Sequence, residues 1–332
     1  MPIKVLHVGL GPIGAGIVKQ VASRKGFTIV GAVDIDPAKV GQDLGDVCGV
    51  GRKLRVKVTE DIARTIKATK PDVAVLCTSS SLRKVVPEFE AVLRLKVPIV
   101  STTEELAYPV KSNAAAARRI DAMAKRARVA VLGTGVNPGF VMDALPIALT
   151  GVCERVTAIE IDRVQDAGIR RLPFQKKIGA GLTREEFMQK VKEGSVRHVG
   201  LAESITMIAD ALGWKLDKVT DDIQPRMADA PVSSQFLSVA AGLVCGLVQD
   251  GVGYRKGQPV IRLHMEAYLG APESYDAVRI AGNPPLSMKL SGGVHGDVAT
   301  ASIVVNSIPK IIQAAPGLRT MKDMALPSYF GG

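Results

Sequence analysis

The chain has 332 residues, enough for two domains that each bury a core, so a single small module is excluded. Hydrophobic residues make up 47% and charged residues 23%, the composition of a globular protein rather than a disordered or fibrous one. The net charge of +11 suits an anionic small ligand; no nucleic-acid partner is expected, because Lys and Arg are spread along the chain and no basic segment is interleaved with aromatics, which total 4%.

From Ile3 to about residue 149 short β-branched runs alternate with amphipathic stretches of helical period. Strands are predicted at 3–8, 28–33, 54–58, 73–77, 98–101 and 129–132, and helices at 13–24, 61–69, 82–95 and 111–126. Nearly charge-free strands at this interval predict a doubly wound parallel sheet covered on both faces. After Thr150 the texture changes. "RVTAIEIDRVQDA" (155–167) and "QPVIRLHMEAYLG" (258–270) read as long alternating strands, and a hairpin is expected around residues 283–285. Helices are predicted at 184–193 and 201–212, so this half is α+β with a mostly antiparallel sheet. A last helix, 297–314, is expected to fold back on the first domain. The expected organisation is therefore 1–150 nucleotide-binding, 151–296 substrate and dimerisation, and 297–332 a C-terminal helix and tail.

The longest apolar run, 236–248 with one interrupting Ser238, is shorter than the roughly 20 residues that span a bilayer and reads as buried core. The N-terminus shows no leader, so the expected location is cytoplasmic, away from membranes. Cys48, Cys77, Cys153 and Cys245 lie far apart, with no C-x-x-C pair and no histidines at metal spacing, which predicts reduced thiols and no metal.

The stretch "VLHVGLGPIGAG" (5–16) contains G-x-G-x-x-G at Gly9, Gly11 and Gly14. A strand runs into Gly9, and Ile13, Ile17, Val18 and Val21 follow at helical spacing, the setting that a dinucleotide fingerprint requires. Gly9 serves the tight turn, Gly11 the approach of the backbone to a pyrophosphate, and Gly14 the packing of helix on strand, while Pro12 suits the first helical position. Asp34, at the end of the second strand, is placed to hold the ribose hydroxyls. The cofactor is NAD or NADP: Asp34 favours NAD by repelling a 2'-phosphate, and Lys39 and Arg52 are able to offset that.

Ligands in open parallel sheets bind beyond the carboxyl ends of the strands. Three segments occupy that edge: "CTSSS" (77–81), "STTEELAYP" (101–109) and "GTGVNPGF" (133–140). In the first, Thr78 and Ser79 are candidates for the cofactor. In the second, Glu104 or Glu105 could take the proton of an ammonium group, which amine oxidation requires, although Ser101-x-x-Glu104 and Thr102-x-x-Glu105 also match helix capping boxes. In the third, Asn137 could meet the nicotinamide amide or its ribose, with Phe140 beside the substrate, although N-P-G is also good turn chemistry. The Glu-Lys-Pro motif of a sugar or inositol dehydrogenase is missing here, and so is the cysteine near a histidine that a phosphorylating semialdehyde dehydrogenase needs.

In the second half, alternation puts Arg262, His264, Glu266 and Tyr268 on one strand face, either lining a pocket or meeting solvent or another subunit. Arg163, Arg170, Arg171, Lys176 and Lys177 gather around a predicted loop, where an arginine fork could grip a substrate carboxylate or simply be solvated.

The blocks "VGLGPIGAGI", "DIDPAKVGQDLG", "STTEELAYP", "TGVNPGFVMDALPIALTGVC", "RRLPFQKKIGAGLT" and "HVGLAESI" together resemble the 2,4-diaminopentanoate dehydrogenases and the related native amine dehydrogenases. The resemblance covers nearly the whole chain. It implies a dihydrodipicolinate-reductase-like N-terminal Rossmann domain, a C-terminal α+β domain that also forms a homodimer, and dependence on NAD or NADP. It implies reversible oxidation of an amine to an imine that water hydrolyses to ketone and ammonia, with 2,4-diaminopentanoate giving 2-amino-4-oxopentanoate. On this resemblance the amine-orienting glutamate is Glu104, with Glu105 as the alternate, and Asn137 and His264 fall in matching segments. Rival readings are a broad amine dehydrogenase, a cyclic imine reductase and a non-catalytic nucleotide sensor.

Overall fold

A central parallel strand is covered on both faces, and "IKVLHV" suits that place: from Val5 to Val8 every residue is buried, with His7 the one polar side chain among them. The computed structural model describes residues 1–109 and 113–331. In chain order the elements are β1 (Ile3–Val8), α1 (Pro12–Ser23), β2 (Phe27–Val33), α2 (Leu44–Val47), β3 (Val58–Thr59), α3 (Ile62–Thr69), β4 (Val73–Leu76), α4 (Leu82–Leu93) and β5 (Ile99–Ser101). There follow α5 (Ala114–Ala127), β6 (Ala130–Gly133), α6 (Ala144–Thr150), β7 (Arg155–Asp166), α7 (Leu172–Lys177), α8 (Arg184–Lys192), α9 (Leu201–Ala211) and β8 (Lys218–Met227). The remainder comprises β9 (Val232–Ser233), β10 (Ser238–Val239), β11 (Val244–Arg255), β12 (Gln258–Tyr268), β13 (Tyr275–Asn283), β14 (Leu286–Ser291), α10 (Gly296–Gln313) and β15 (Gly317–Arg319).

The chain divides into two units, residues 1–140 with 295–332, and residues 141–294. In the first, seven parallel strands run β15-β6-β5-β4-β1-β2-β3, so the winding reverses between β1 and β4. One face carries α3, α4 and α5, whose Ile66, Phe89 and Ile120 pack on Leu6, Leu76 and Val131. On the other face, Val18 of α1 and Leu44 of α2 share a cluster with Ala32 and Val58. Helix α10 lies along α1, where Gln20 Nε2 donates to Ser302 Oγ at 3.0 Å and Arg24 reaches Asn306 Oδ1 at 2.7 Å. Phe89 is fully enclosed, and truncating such a ring to alanine costs about 3–5 kcal/mol.

In the second unit six strands run β14-β13-β7-β12-β11-β8, all antiparallel except the β7–β12 pair. Helix α9 covers one face. Gly251 and Gly253 let it seat there, since a Cβ would come within 2.9 Å of Ile205 Cδ1 and 2.8 Å of Ile205 Cγ2 respectively. Leu263 pairs with Gly251 and shares that covered face, while His264, opposite Asp250, points to the other side.

Several expectations change. The strand at 54–58 is only Val58–Thr59, an edge strand, because Asp43 instead organises the preceding segment by accepting from Gly45 N and Leu54 N. The seventh strand β15 and short helix α2 had no strong periodicity to announce them. The run 236–248 is not one core segment: Phe236 is exposed, β10 and a turn follow, and only from Val244 does the chain enter β11. Residues 141–150, expected inside the first domain, group with the second unit and carry helix α6, which was not predicted. The predicted helix 111–126 runs from Ala114 to Ala127, with Asn113 before its first turn; residues 111 and 112 lie outside the described residues.

Arg163 and Asp276 form an ion pair at 3% and 4% side-chain exposure, between β7 and β13. Arg163 also donates to the Val294 carbonyl at 2.9 Å, and Asp276 accepts from Val294 N at 2.7 Å, so the pair pins the last residue of this unit. Removing one partner of such a pair strands the other charge. Arg163→Ala should therefore lower unfolding stability by about 3–5 kcal/mol in urea titrations, whereas the double variant Arg163→Met, Asp276→Leu should lose much less; equal losses would contradict this account of the pair.

Candidate active site

Where β1 ends, Gly9 turns with φ +88°, and a Cβ there would lie 2.7 Å from the Cys77 carbonyl oxygen at the end of β4. At Gly14 a Cβ would stand 2.0 Å from the Gly9 carbonyl oxygen, so α1 can close on the turn only without a side chain. Gly11 is different: nothing lies within 4 Å of its would-be Cβ, so the helix start faces open space. Pro12 takes the first helical position and Ile13 follows it. The free amides and positive end of a twelve-residue helix thus meet that space, a setting that fits a pyrophosphate.

Asp34 follows β2 and is tied to the same turn. Its Oδ2 accepts from Leu10 N at 2.7 Å and Lys39 Nζ at 3.2 Å, and its Oδ1 accepts from Asp36 N at 2.9 Å. Burial alone would push this carboxyl up, but the Asp36 and Leu10 amides and the Lys39 ammonium together hold it below the usual carboxylate range. It is an ionised group at neutral pH.

The next strand ends are laced to this one. Thr78 bonds Glu88 of α4 through its hydroxyl, and Ser79 gives its carbonyl to Thr103 Oγ1 at 2.9 Å. Ser101 Oγ donates to the Leu76 carbonyl at 3.0 Å and accepts from Thr103 N at 3.1 Å. Both capping-box alternatives therefore give way: Ser101 is used between strands, and the turn Glu104–Leu106 starts after Thr103 with no side-chain cap. Glu105 is drawn into structure, its Oε2 accepting from Leu82 N at 2.8 Å at the start of α4 and from Asn113 Nδ2 at 3.4 Å. A carboxylate held in this way helps to start α4. Glu104 sits half-buried on the same turn.

After β6, Thr134 N donates to the Ser101 carbonyl at 2.9 Å. The turn 135–139 closes so tightly that a Cβ on Gly139 (φ +130°) would lie 2.4 Å from Gly135 N. Asn137 is buried within it and Phe140 is half-buried at its end. Gly9, Gly11, Gly14, Asp34, Thr78, Ser79, Glu104 and Asn137 accordingly share the carboxyl edge of one sheet, around the reversal between β1 and β4.

In the second unit the basic block is not a loop. Leu172–Lys177 is a helical turn, entered by Arg171 and ending in exposed Lys176 and half-buried Lys177. Arg170 is buried, its guanidinium 4.2 Å from the Phe174 ring centroid and 3.1 Å from Gln165 Oε1. Arg163, expected to bind substrate, is taken by the internal ion pair and is corrected to a structural residue. Sequence reasoning missed Gln175. It is wholly buried, donates to the Ala167 and Arg170 carbonyls at 2.9 Å each, and accepts from Ser234 Oγ at 2.9 Å, which fixes the backbone that presents Arg170 and Arg171. A glutamine in a basic run carries no signal for this.

His264 bridges Asp250 at 2.7 Å and Glu266 at 3.0 Å on its own sheet. Partial burial disfavours the imidazolium, but the Asp250 and Glu266 bonds outweigh it and raise the pKa above its ordinary 6.5. A raised folded-state pKa contributes stability that is full below the unfolded value and is lost as pH rises through the folded one. The stability difference between the wild type and His264→Gln should therefore shrink as pH is raised above 6.5, in urea titrations across that window; a difference that is flat with pH would refute it.

Burial pushes the Cys77 thiol up to about 12 and that of Cys48 to about 11, so neither supplies a thiolate nucleophile. Among the described residues no group of three His, Cys, Asp or Glu converges as for a metal ion, and no helix is long and apolar enough to cross a membrane.

Residues 3–132 match the family of dihydrodipicolinate reductase N-termini, and residues 140–332 match the 2,4-diaminopentanoate dehydrogenase C-terminal domain. A 2,4-diaminopentanoate dehydrogenase of Acetoanaerobium sticklandii is 37% identical over 99% of this chain and 95% of its own. An amine dehydrogenase of Streptomyces virginiae is 22% identical over 97% of this chain and 96% of its own. Among solved structures, the amine dehydrogenase of Mycobacterium smegmatis superposes with a TM-score of 0.88 at 26% identity, covering 100% of this chain and 98% of the other. With a Rossmann-like N-terminal unit and a C-terminal half of this kind, the chain belongs to the 2,4-diaminopentanoate dehydrogenase family and is an NAD(P)-dependent oxidoreductase.

Proposed function

We propose that this chain oxidises 2,4-diaminopentanoate to 2-amino-4-oxopentanoate and ammonia, reversibly, with NAD or NADP. The match of residues 140–332 to the C-terminal domain named for that activity carries the reading, since this is the half that separates it from reductases sharing only the N-terminal domain.

NAD(P)⁺, when bound, supplies a hydride acceptor. The chain's part is to bind, orient and move protons. The substrate amine enters as an ammonium, and its carbon gives up hydride only once nitrogen has lost a proton and can donate its lone pair. Glu104 is the residue assigned to hold that ammonium and take the proton. Loss of hydride leaves an iminium carbon; water adds to it, and ammonia departs as the ketone forms. One amine, one oxidised nucleotide and one water thus give one ketone, one ammonium, one reduced nucleotide and one proton. Asn137, buried in the turn after β6, is the candidate to orient the nicotinamide. Arg170, Arg171 and Lys176 are the candidates for the substrate carboxylate, with Phe140 as an apolar neighbour of the reacting carbon. His264, tied to two carboxylates, is given a structural role in place of the catalytic one.

A second reading, broad amine dehydrogenase activity, is favoured by the TM-score of 0.88 with the Mycobacterium enzyme. In either case the location is cytoplasmic and the assembly a homodimer, with the uncovered sheet face bearing His264 available to a second copy. Light scattering that returned a monomer mass would remove the dimer.

Glu104→Gln should bind NADH as the wild type does yet lose about two or more orders of magnitude in turnover. Retained turnover would remove Glu104 from the role. For substrate, kcat/KM for 2,4-diaminopentanoate should exceed that for a carboxylate-free amine of similar size; equal or better use of the plain amine would favour the broad enzyme and leave the arginines structural.

A further inference from the structure

Helices α4 and α5 pack side by side on one face of the first unit's sheet, and each ends just before a strand begins, α4 before β5 and α5 before β6. Their last turns therefore lie at the amino edge of the sheet, opposite the edge that carries Gly9, Asp34 and Glu104. A cleft of about 450 Å³ opens between these helix ends, within the roughly 300–1,000 Å³ of small-ligand sites.

The cleft is built around a sunken carboxylate. Glu90 of α4 is only 9% exposed, yet Arg119 of α5 pairs with its Oε1 and Arg94 Nη2 lies 3.7 Å from its Oε2. Both arginine side chains stay largely in solvent, at 63% and 74% exposure, so Glu90 sets two guanidinium groups at the mouth with donors left over. Lys96 and Arg126 line the same cleft and are exposed, and neither forms an ion pair with a carboxylate among the described residues. Cations here have a plain role in offsetting helix C-termini, each of which carries about half a negative charge. Two helix ends and Glu90 account for about two of the four positive charges of Arg94, Lys96, Arg119 and Arg126. The others have no counter-charge in the cleft.

We infer that this cleft is a second ligand site, remote from the nucleotide edge, for a small organic dianion, either a dicarboxylate or a phosphate ester. Guanidinium forks suit the oxygens of both, and half-buried Met123 offers an apolar surface to the stem between the charges. The inference does not depend on which amine is oxidised.

It is tested by calorimetric titration of the full chain at low ionic strength and about pH 8, where a phosphate monoester carries two charges. The probes are glutarate, glycerol 2-phosphate, the monoanion butyrate and poly-glutamate. The wild type should bind at least one of the two small dianions with Kd below about 1 mM, and butyrate about tenfold more weakly or worse. Lys96→Gln and Arg126→Gln, which leave the Glu90 pairs intact, should each weaken the bound dianion about 5- to 10-fold, the scale of a charge-assisted hydrogen bond at an exposed site. Preference for glutarate assigns the site to dicarboxylates, and preference for glycerol 2-phosphate assigns it to phosphate esters. No saturable binding of either would overturn the inference. Binding that both variants leave unchanged would also overturn it, by placing the dianion at another basic segment. Binding of poly-glutamate alone would replace the small ligand with an acidic protein partner.

Discussion

The close seating of α1 on the turn after β1 is the constraint on which the rest of the site depends. A side chain on Gly14 would stand 2.0 Å from the Gly9 carbonyl oxygen, so glycine alone lets the helix start where its amides face open space. From that turn hydrogen bonds run in both directions. Leu10 N fixes Asp34 at the end of β2, while Gly9 crowds Cys77 at the end of β4. Farther along, Ser79 holds Thr103, and Ser101 receives Thr134 N. Five strand ends, those of β1, β2, β4, β5 and β6, become one connected edge, and Glu104 and Asn137 are carried on it.

What could be read in advance follows from periodicity. Buried parallel strands and their covering helices have strong patterns, and Ile3–Val8, Leu82–Leu93 and Gly296–Gln313 lie within a few residues of expectation. The glycine fingerprint and Asp34 were legible because spacing along one strand–turn–helix sets their positions. The remainder depended on partners distant in sequence. Arg163 and Arg170 look alike in the chain, yet one meets Asp276 113 residues away and the other stacks on nearby Phe174. Glu104 and Glu105 are adjacent, and the start of α4, distant in sequence, draws Glu105 to Leu82 N. Lys39 and Arg52 were equivalent until the fold brought one to Asp34 and the other to Ala22.

The second unit is built on a different principle, a mostly antiparallel sheet. Its sheet is covered on one face by α9, which requires the small residues Gly251 and Gly253 beneath Ile205. The opposite face carries charges that satisfy one another, Arg279 reaching Asp162 at 2.7 Å and His264 bridging Asp250 and Glu266. The basic segment around α7 has a different character. Its backbone is fastened from within by a buried glutamine, while Lys176 remains exposed, which is how a fold holds a polar segment in place without neutralising it.

The central claim, that an amine is oxidised on this nucleotide domain, is tested most directly by product stoichiometry. Purified protein with 2,4-diaminopentanoate and NAD or NADP should release one ammonia and one ketone for each reduced nucleotide, as read by enzymatic ammonia assay and nicotinamide absorbance. Tight nucleotide binding with no reduction by this or any simpler amine would contradict the account and leave a nucleotide sensor in its place.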